Sequence, residues 1–208
     1  MFAWGCGATS KGAWSGATGV VRQSVNAIGV DVGGTKIAAG VVSREGELLN
    51  EVMHPTVNVR ELVLSTIAEA TIAEVKRGYE VGGVCLVVPG FILAGENKVL
   101  SAANLEAIEG IPLKEELGGC SGLEVTVEND ANAAAWGEFR FGAGKHVEDL
   151  ILVTLGTGVG GGAISHGVLL RGARGTGVKL RHITLHPAGP AADVATGDAS
   201  RLPPLAPP

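Results

Sequence analysis

The sequence has 208 residues, of which 46% are hydrophobic and 18% charged, so it can bury a sizeable core and is not a disordered chain. Its net charge of −5 argues against nucleic-acid binding, which needs a basic surface. Cys6, Cys85 and Cys120 lie far apart and form no Cys-x-x-Cys pair, which argues against a disulfide framework and a four-ligand zinc site.

Strand and helix patterns alternate along the chain, which predicts an α/β fold. The predicted elements are strands at 27–32, 37–42 and 48–53, a helix at 59–76, a strand at 83–88, a short helix at 112–117, a strand at 123–127, a helix from 129 or 130 to 141, and strands at 150–155 and 162–170.

The two ends of the chain have no pattern of packed elements. Residues 1–26 contain no continuous apolar segment of signal-peptide type and are predicted to be a disordered leader. Residues 186–208 are rich in Ala, Gly and Pro without periodicity and are predicted to be an unstructured tail. The uncharged stretch 150–170 holds six glycines, which favours strands around a turn over a transmembrane helix. A cytoplasmic location is therefore expected.

A first glycine cluster, Gly33-Gly34-Thr35-Lys36, follows the first strand. Such a turn can direct backbone N–H groups at an anion, and the Thr35 hydroxyl and the Lys36 charge add donors. Asp31, just before it, is placed to hold Mg²⁺ directly or through water. The pattern is not a Walker A loop, and a hairpin turn that merely needs glycine explains these residues equally well.

A second cluster, residues 155–162, contains Gly156, Gly158 and Gly161 in a formal Gly-x-Gly-x-x-Gly pattern. No good helix follows and no acidic residue lies about 20 positions on, so a dinucleotide site is disfavoured. A second phosphate-binding hairpin is the better interpretation.

A third cluster is Glu128-Asn129-Asp130-Ala131-Asn132. Asp130 is either only the N-cap of the following helix or a general base in a cleft between the glycine turns. In the second case Asn129 orients a substrate hydroxyl. The pattern alone leaves both interpretations open.

Together these clusters resemble the ROK family, and most closely its bacterial glucokinases. The resemblance covers about residues 26–173 and rests on Val-Asp-Val-Gly-Gly-Thr-Lys, Val-Pro-Gly-Phe, Asn-Leu, Val-Glu-Asn-Asp-Ala-Asn-Ala-Ala-Ala-Trp-Gly-Glu and Leu-Gly-Thr-Gly-Val-Gly-Gly-Gly, in that order. It implies an actin/hexokinase-like ATPase fold of ribonuclease H-like type. The N-terminal domain would be complete at 27–131, and the second domain would be only partly present at 132–185.

The resemblance also implies a function, which is phosphorylation of a hexose by ATP and Mg²⁺, usually at the 6-hydroxyl of glucose. Asp130 would be the catalytic base and Asp31 would lie beside the metal. The sugar would be lined by Gly90, Asn104, Asn129 and Asp130. The phosphates would be bound by Asp31, Gly33, Gly34, Thr35 and Lys36 and by Gly156, Thr157 and Gly158. The expected partner is a small-molecule hexose, with no nucleic acid and no membrane, and a homodimer is possible for the full-length family.

The chain departs from the family after residue 175. The family has a Glu that binds sugar hydroxyls and a zinc-ligating His in a Gly-Glu-x-Gly-His setting, but Lys179 stands at the Glu position. His182 matches the zinc position, yet the zinc cysteines are absent, so we expect the structural zinc to be absent. We therefore expect weak or no activity from this chain.

Three questions stay open at this point: the function of the chain, the phosphoryl donor and the sugar. The chain could be a sugar-responsive transcriptional regulator of the same family, although 26 leading residues are too few for a DNA-binding domain, or it could be a non-catalytic remnant. The phosphoryl donor could be ATP or polyphosphate, and the sugar could be glucose, N-acetylmannosamine or another hexose.

Overall fold

A computed structural model describes residues 26–75, 77–93, 98–102, 105–155, 159–178 and 180. In chain order the elements are β1 (Asn26–Val32), β2 (Lys36–Val42), β3 (Leu48–Pro55), α1 (Arg60–Val75), β4 (Val81–Val88), β5 (Phe91–Leu93), β6 (Lys98–Ser101), a 3₁₀ turn (Glu106–Ile108), α2 (Leu113–Ser121), β7 (Val125–Asn129), α3 (Asp130–Phe141), β8 (Leu150–Leu155), β9 (Val159–Ser165) and β10 (Val168–Leu169).

Five strands form the larger sheet, in the order β3-β2-β1-β4-β7. The β1–β2 and β2–β3 pairs are antiparallel, whereas β1–β4 and β4–β7 are parallel. The carboxyl ends of β1, β4 and β7 therefore meet at one edge of the sheet, which is where open α/β sheets place their ligands.

Helices cover both faces of this sheet. Ile28, Val30 and Val32 of β1 are fully buried, and they share a core cluster with residues of α1 and α2. On the other face, Cys85 and Val87 of β4 pack with Ala133 of α3. The alternation of side chains along each strand produces these two layers, because successive residues point to opposite faces.

The smaller sheet has the order β10-β9-β8 and is antiparallel. Trp136 of α3 packs on it against Ile164 and Leu169. Close contact is possible because β9 has glycine where the helix crosses: a Cβ at Gly162 would lie 2.6 Å from the Cβ of Ala135. Helix α3 thus contacts both sheets.

The structure corrects the prediction of one continuous strand at 162–170. The chain turns at His166 and Gly167, whose φ angles are +49° and +73°, so β9 and β10 are two strands of a hairpin. The short hairpin of β5 and β6 was not predicted at all. No helix in the described ranges is long and apolar enough to cross a bilayer.

Candidate active site

The carboxyl ends of the three parallel strands bring together four of the residues singled out from the sequence. Asp31 is the penultimate residue of β1, Gly90 follows β4 by two residues, and Asn129 and Asp130 form the junction of β7 and α3. The side-chain amide of Asn129 donates one hydrogen bond to the carbonyl of Gly90, at 2.9 Å, and another to Oδ1 of Asp130, at 2.8 Å.

Asn129 is the N-cap of α3. Its side-chain oxygen accepts from the backbone N–H of Asn132 at 3.2 Å, and its φ and ψ are extended. Asp130 is instead the first helical residue, and it is exposed to solvent. Asn129 therefore performs the capping that the simpler interpretation gave to Asp130. Oδ1 of Asp130 accepts hydrogen bonds from the Asn129 amide and from the Ala131 N–H at 2.9 Å, so Oδ2 is the oxygen that we expect to meet a ligand.

Gly90 is required by close packing. Its φ is +95°, and a Cβ there would collide with the carbonyl oxygen of Ser101 in the β5–β6 hairpin. The glycine therefore lets the hairpin lie against the end of β4, and its carbonyl meets the Asn129 amide. The hairpin that the sequence did not predict therefore lies beside the candidate site.

Asp31 lies where ionisation is unfavourable. Burial raises the pKa of its carboxyl, and the negative charge of Asp130 raises it further, while Lys36 partly offsets the effect. A partly buried carboxylate beside a second negative charge suits a hard divalent cation with oxygen ligands. The described residues contain no group of three or more possible metal-ligating side chains, so any Mg²⁺ here would take its other ligands from water or phosphate.

Hydrogen bonds fix the β1–β2 turn at Gly33, and the next three residues are exposed to solvent. The N–H of Gly33 donates to the carbonyl of Lys36 at 2.9 Å, and the Thr56 hydroxyl donates to the carbonyl of Gly33 at 2.7 Å. Gly34, Thr35 and Lys36 are exposed. Sequence reasoning missed the supporting role of Thr56, because Thr56 belongs to no motif and lies 23 positions from its partner Gly33.

Glu128 is a second residue whose role the sequence did not reveal. It is buried one residue before Asn129, and its Oε1 accepts from the Asn129 backbone N–H and from the Asn132 side-chain amide, both at 2.9 Å. Its Oε2 accepts from Nε of Arg171 at 2.7 Å. Arg171 follows β10, so this ion pair joins the two sheets.

The remaining predicted site residues lie outside the described ranges. These are Asn104, Gly156, Thr157, Gly158 and His182, together with the mismatched Lys179. Their assignment to sugar, phosphate and zinc positions stays a prediction.

Comparison with known proteins gives concordant results. A model of the ROK family matches residues 27–194. The glucokinase of Streptomyces coelicolor is 44% identical over 162 residues, which make up 78% of this chain and 50% of that protein. The crystal structure of a ROK family glucokinase from Streptomyces griseus, in complex with glucose and AMPPNP, matches with a TM-score of 0.72 at 44% identity, over 79% of this chain and 52% of that one.

A ROK hexokinase from Thermus thermophilus matches with a TM-score of 0.74 at 37% identity, over 81% of this chain and 56% of the other. The chain thus spans about half the length of the relatives it matches. The actin/hexokinase-like α/β fold expected from the sequence is confirmed by these matches. This chain belongs to the ROK family.

Proposed function

We propose that this chain carries the sugar- and phosphate-binding site of an ATP-dependent hexose kinase, with the 6-hydroxyl of glucose as the acceptor. The observation that carries the proposal is the meeting of Asp31, Gly90, Asn129 and Asp130 at one sheet edge, beside the exposed β1–β2 turn. The match to a glucokinase structure containing glucose and AMPPNP supports the same assignment. Similarity to enzymes named as kinases favours this function over the regulator considered above.

In the proposed mechanism Asp130 accepts a proton from the sugar hydroxyl as the oxygen of that hydroxyl forms its bond to the γ-phosphorus. The bond between this phosphorus and the bridging oxygen breaks, and ADP leaves with the electron pair. Asn129 keeps the Asp130 carboxylate oriented through its 2.8 Å hydrogen bond. The exposed donors of Thr35 and Lys36 would bind phosphate oxygens.

Mg²⁺ fits the donor set of this edge, and Asp31 would hold it directly or through water. When bound, the cation would neutralise charge on the transferring phosphate. It would also relieve the unfavourable ionisation of Asp31, because a nearby positive charge favours the carboxylate form.

The proposal is tested with the whole chain in an assay that couples glucose-dependent ADP release to Mg²⁺-ATP. Asp130→Asn is expected to lower turnover by at least about a hundredfold with little change in glucose affinity, since the loss of a general base acts on the chemical step. Asp149→Asn is the matched control, because Asp149 is also exposed and accepts a backbone N–H, from His166 at 3.0 Å, just as Asp130 accepts that of Ala131 at 2.9 Å. Asp149 directly precedes β8 and is not among the residues proposed to bind sugar or phosphate.

Measurable turnover that is equal in the Asp130 variant and its parent would remove Asp130 from the mechanism. A parent chain that neither binds glucose nor releases ADP in its presence would contradict the kinase proposal itself. Replacing glucose by N-acetylmannosamine, and ATP by polyphosphate, in the same assay would decide the sugar and the donor.

A further inference from the structure

A continuous set of hydrogen bonds runs from the smaller sheet to the proposed base. Arg171 Nε donates to Glu128 Oε2 at 2.7 Å, and Glu128 Oε1 accepts from the backbone N–H of Asn129 at 2.9 Å. Asn129 in turn donates to Oδ1 of Asp130 and to the carbonyl of Gly90. The set thus begins after β10 and ends on two residues of the proposed sugar site.

The Glu128 carboxylate accepts more hydrogen bonds than a simple surface ion pair would involve. The residue is 7% exposed, and its two carboxylate oxygens accept three hydrogen bonds, the third from the side-chain amide of Asn132. A buried carboxylate is costly unless it is paired and its lone pairs are satisfied. Its satisfaction here depends on Arg171, which is the only cation among these partners and is 43 residues away in the sequence.

Arg171 is also the first residue of a loop whose two ends are joined by a backbone hydrogen bond. The N–H of Gly177 donates to the carbonyl of Arg171 at 2.9 Å, and a Cβ at Gly177 would lie within 3.0 Å of the Arg171 carbonyl. The backbone of residues 171–177 is therefore anchored at the residue whose side chain pairs with Glu128. A shift of this loop would be transmitted to Glu128, and from there to the N-terminus of α3.

We propose that Glu128 and Arg171 are positioning residues, which fix the β7–α3 junction and the loop after β10 in one relative arrangement and thereby set hexose affinity. This inference rests on the proposed function. Glu128 and Arg171 would act through Asn129 and Asp130. Neither is among the residues proposed to contact the sugar.

The test separates positioning from stability with three variants of the whole chain. Arg171→Met leaves a buried carboxylate without its cation, and Glu128→Gln turns an amide donor toward the Arg171 donor, so both single variants should melt at lower temperature than the parent. In the double variant Glu128→Gln/Arg171→Met no charge is left unpaired, so the melting temperature should rise above that of both single variants. It should stay below that of the parent, because the NH₂ of the introduced glutamine lacks the acceptor that a buried donor needs. The introduced glutamine is expected to keep the bonds to Asn129 and Asn132 through its carbonyl oxygen.

Calorimetric titration with glucose provides the second measurement. We expect the dissociation constant to rise about tenfold in each single variant, which corresponds to about 1.4 kcal/mol, and to stay raised in the double variant although its melting temperature has partly recovered. Glu138→Gln is the control, because Glu138 is a carboxylate near the other end of α3 that accepts the Ala143 N–H. Its affinity should equal that of the parent.

Three results would count against the inference. Parental affinity in either single variant would overturn it while leaving the kinase proposal standing. Affinity that recovers together with the melting temperature in the double variant would show that the pair only stabilises the fold, and would overturn it in the same way. A parent that binds no glucose would instead contradict the proposed function, and the inference would fall with it.

Discussion

Asp31 illustrates how a residue of the proposed site can reduce the stability of the fold that carries it. Its carboxyl is partly buried beside Asp130, and both effects raise its pKa above the ordinary value of 3.8. The folded chain therefore binds this proton more tightly than the unfolded chain does. Stability falls as the pH rises from below 3.8 through the higher pKa of the folded state, and it stays reduced above that.

Asp31→Asn should remove this pH dependence. The variant is expected to melt at a higher temperature than the parent at neutral pH, and the difference should vanish below the ordinary carboxyl pKa, where Asp31 is protonated in both states. Thermal melts of both chains across this pH range provide the measurement.

Asp149→Asn is a control for which the opposite change in stability is expected. Hydrogen bonds from the Ser165 hydroxyl and the His166 N–H lower the pKa of Asp149, so this variant should lose stability above the ordinary carboxyl pKa of 3.8. A gain for Asp31→Asn that is the same at acid and neutral pH would show that the charge of Asp31 is not its cause.

Val178 is a strained residue. Its φ is +54°, in the left-handed region, where a β-branched side chain crowds the backbone and costs about 1–2 kcal/mol. Val178→Gly should raise the free energy of unfolding by up to about 1 kcal/mol, since the relief of strain exceeds the entropy cost of glycine. Denaturant titration measures the change.

Val168→Gly is the matched control for this prediction. Val168 is an exposed valine of β10 whose φ is not positive, so its replacement should destabilise the chain. Equal losses in the two variants would mean that the backbone at 178 is not strained.

The clustering of candidate-site residues could be predicted from the sequence only where these residues belong to local motifs. Asp31 and the Asn129–Asp130 pair stand next to strand ends, so their clustering follows from a parallel sheet. Glu128 and Thr56 gave no such signal, because their partners Arg171 and Gly33 lie 43 and 23 residues away. Their roles depend on strand order, which no local pattern contains.

Elements long enough to show a periodic pattern of apolar residues were predicted well. The short elements were not. The prediction of 150–155 agrees with β8, and that of 59–76 closely matches α1 as far as the structure describes it. Strands β5 and β10 have three and two residues, too few to show a period of two. They form because tertiary contacts, such as that at Gly90, hold them in place.

The contact between α3 and β9 leads to a prediction at the scale of elements. Gly162→Ala would place a Cβ 2.6 Å from the Cβ of Ala135 and 2.8 Å from the carbonyl oxygen of Ala131. Helix and sheet would have to separate, which should cost about 1–3 kcal/mol of unfolding free energy. Denaturant titration is again the measurement.

Gly119→Ala is the control, because a Cβ at this position of α2 would meet nothing within 4 Å. This substitution should stabilise the chain by about 0.5–1 kcal/mol, through the better helix propensity of alanine. If Gly162→Ala were equally harmless, α3 and β9 would not be in the close contact described.

At the scale of the whole molecule, the two faces of the smaller sheet differ. One face packs on α3, while the other presents alternate residues of β8 to solvent: Ile151 is 72% exposed, Val153 51% and Leu155 76%. Among the strands that the structure describes, β8 is also the edge strand of its sheet. An apolar face next to an open strand edge favours self-association.

The double variant Ile151→Thr/Leu155→Thr should therefore reduce self-association of the chain. Threonine keeps the preference for a strand while it removes apolar surface, so the melting temperature should change little. Light scattering during concentration and the fluorescence of a dye that binds apolar surfaces should both fall. Ile164→Thr, on the buried face at 2% exposure, should instead lower the melting temperature. If scattering and dye binding stay at the parental level in the double variant, the association of the chain originates from a surface other than the β8 face.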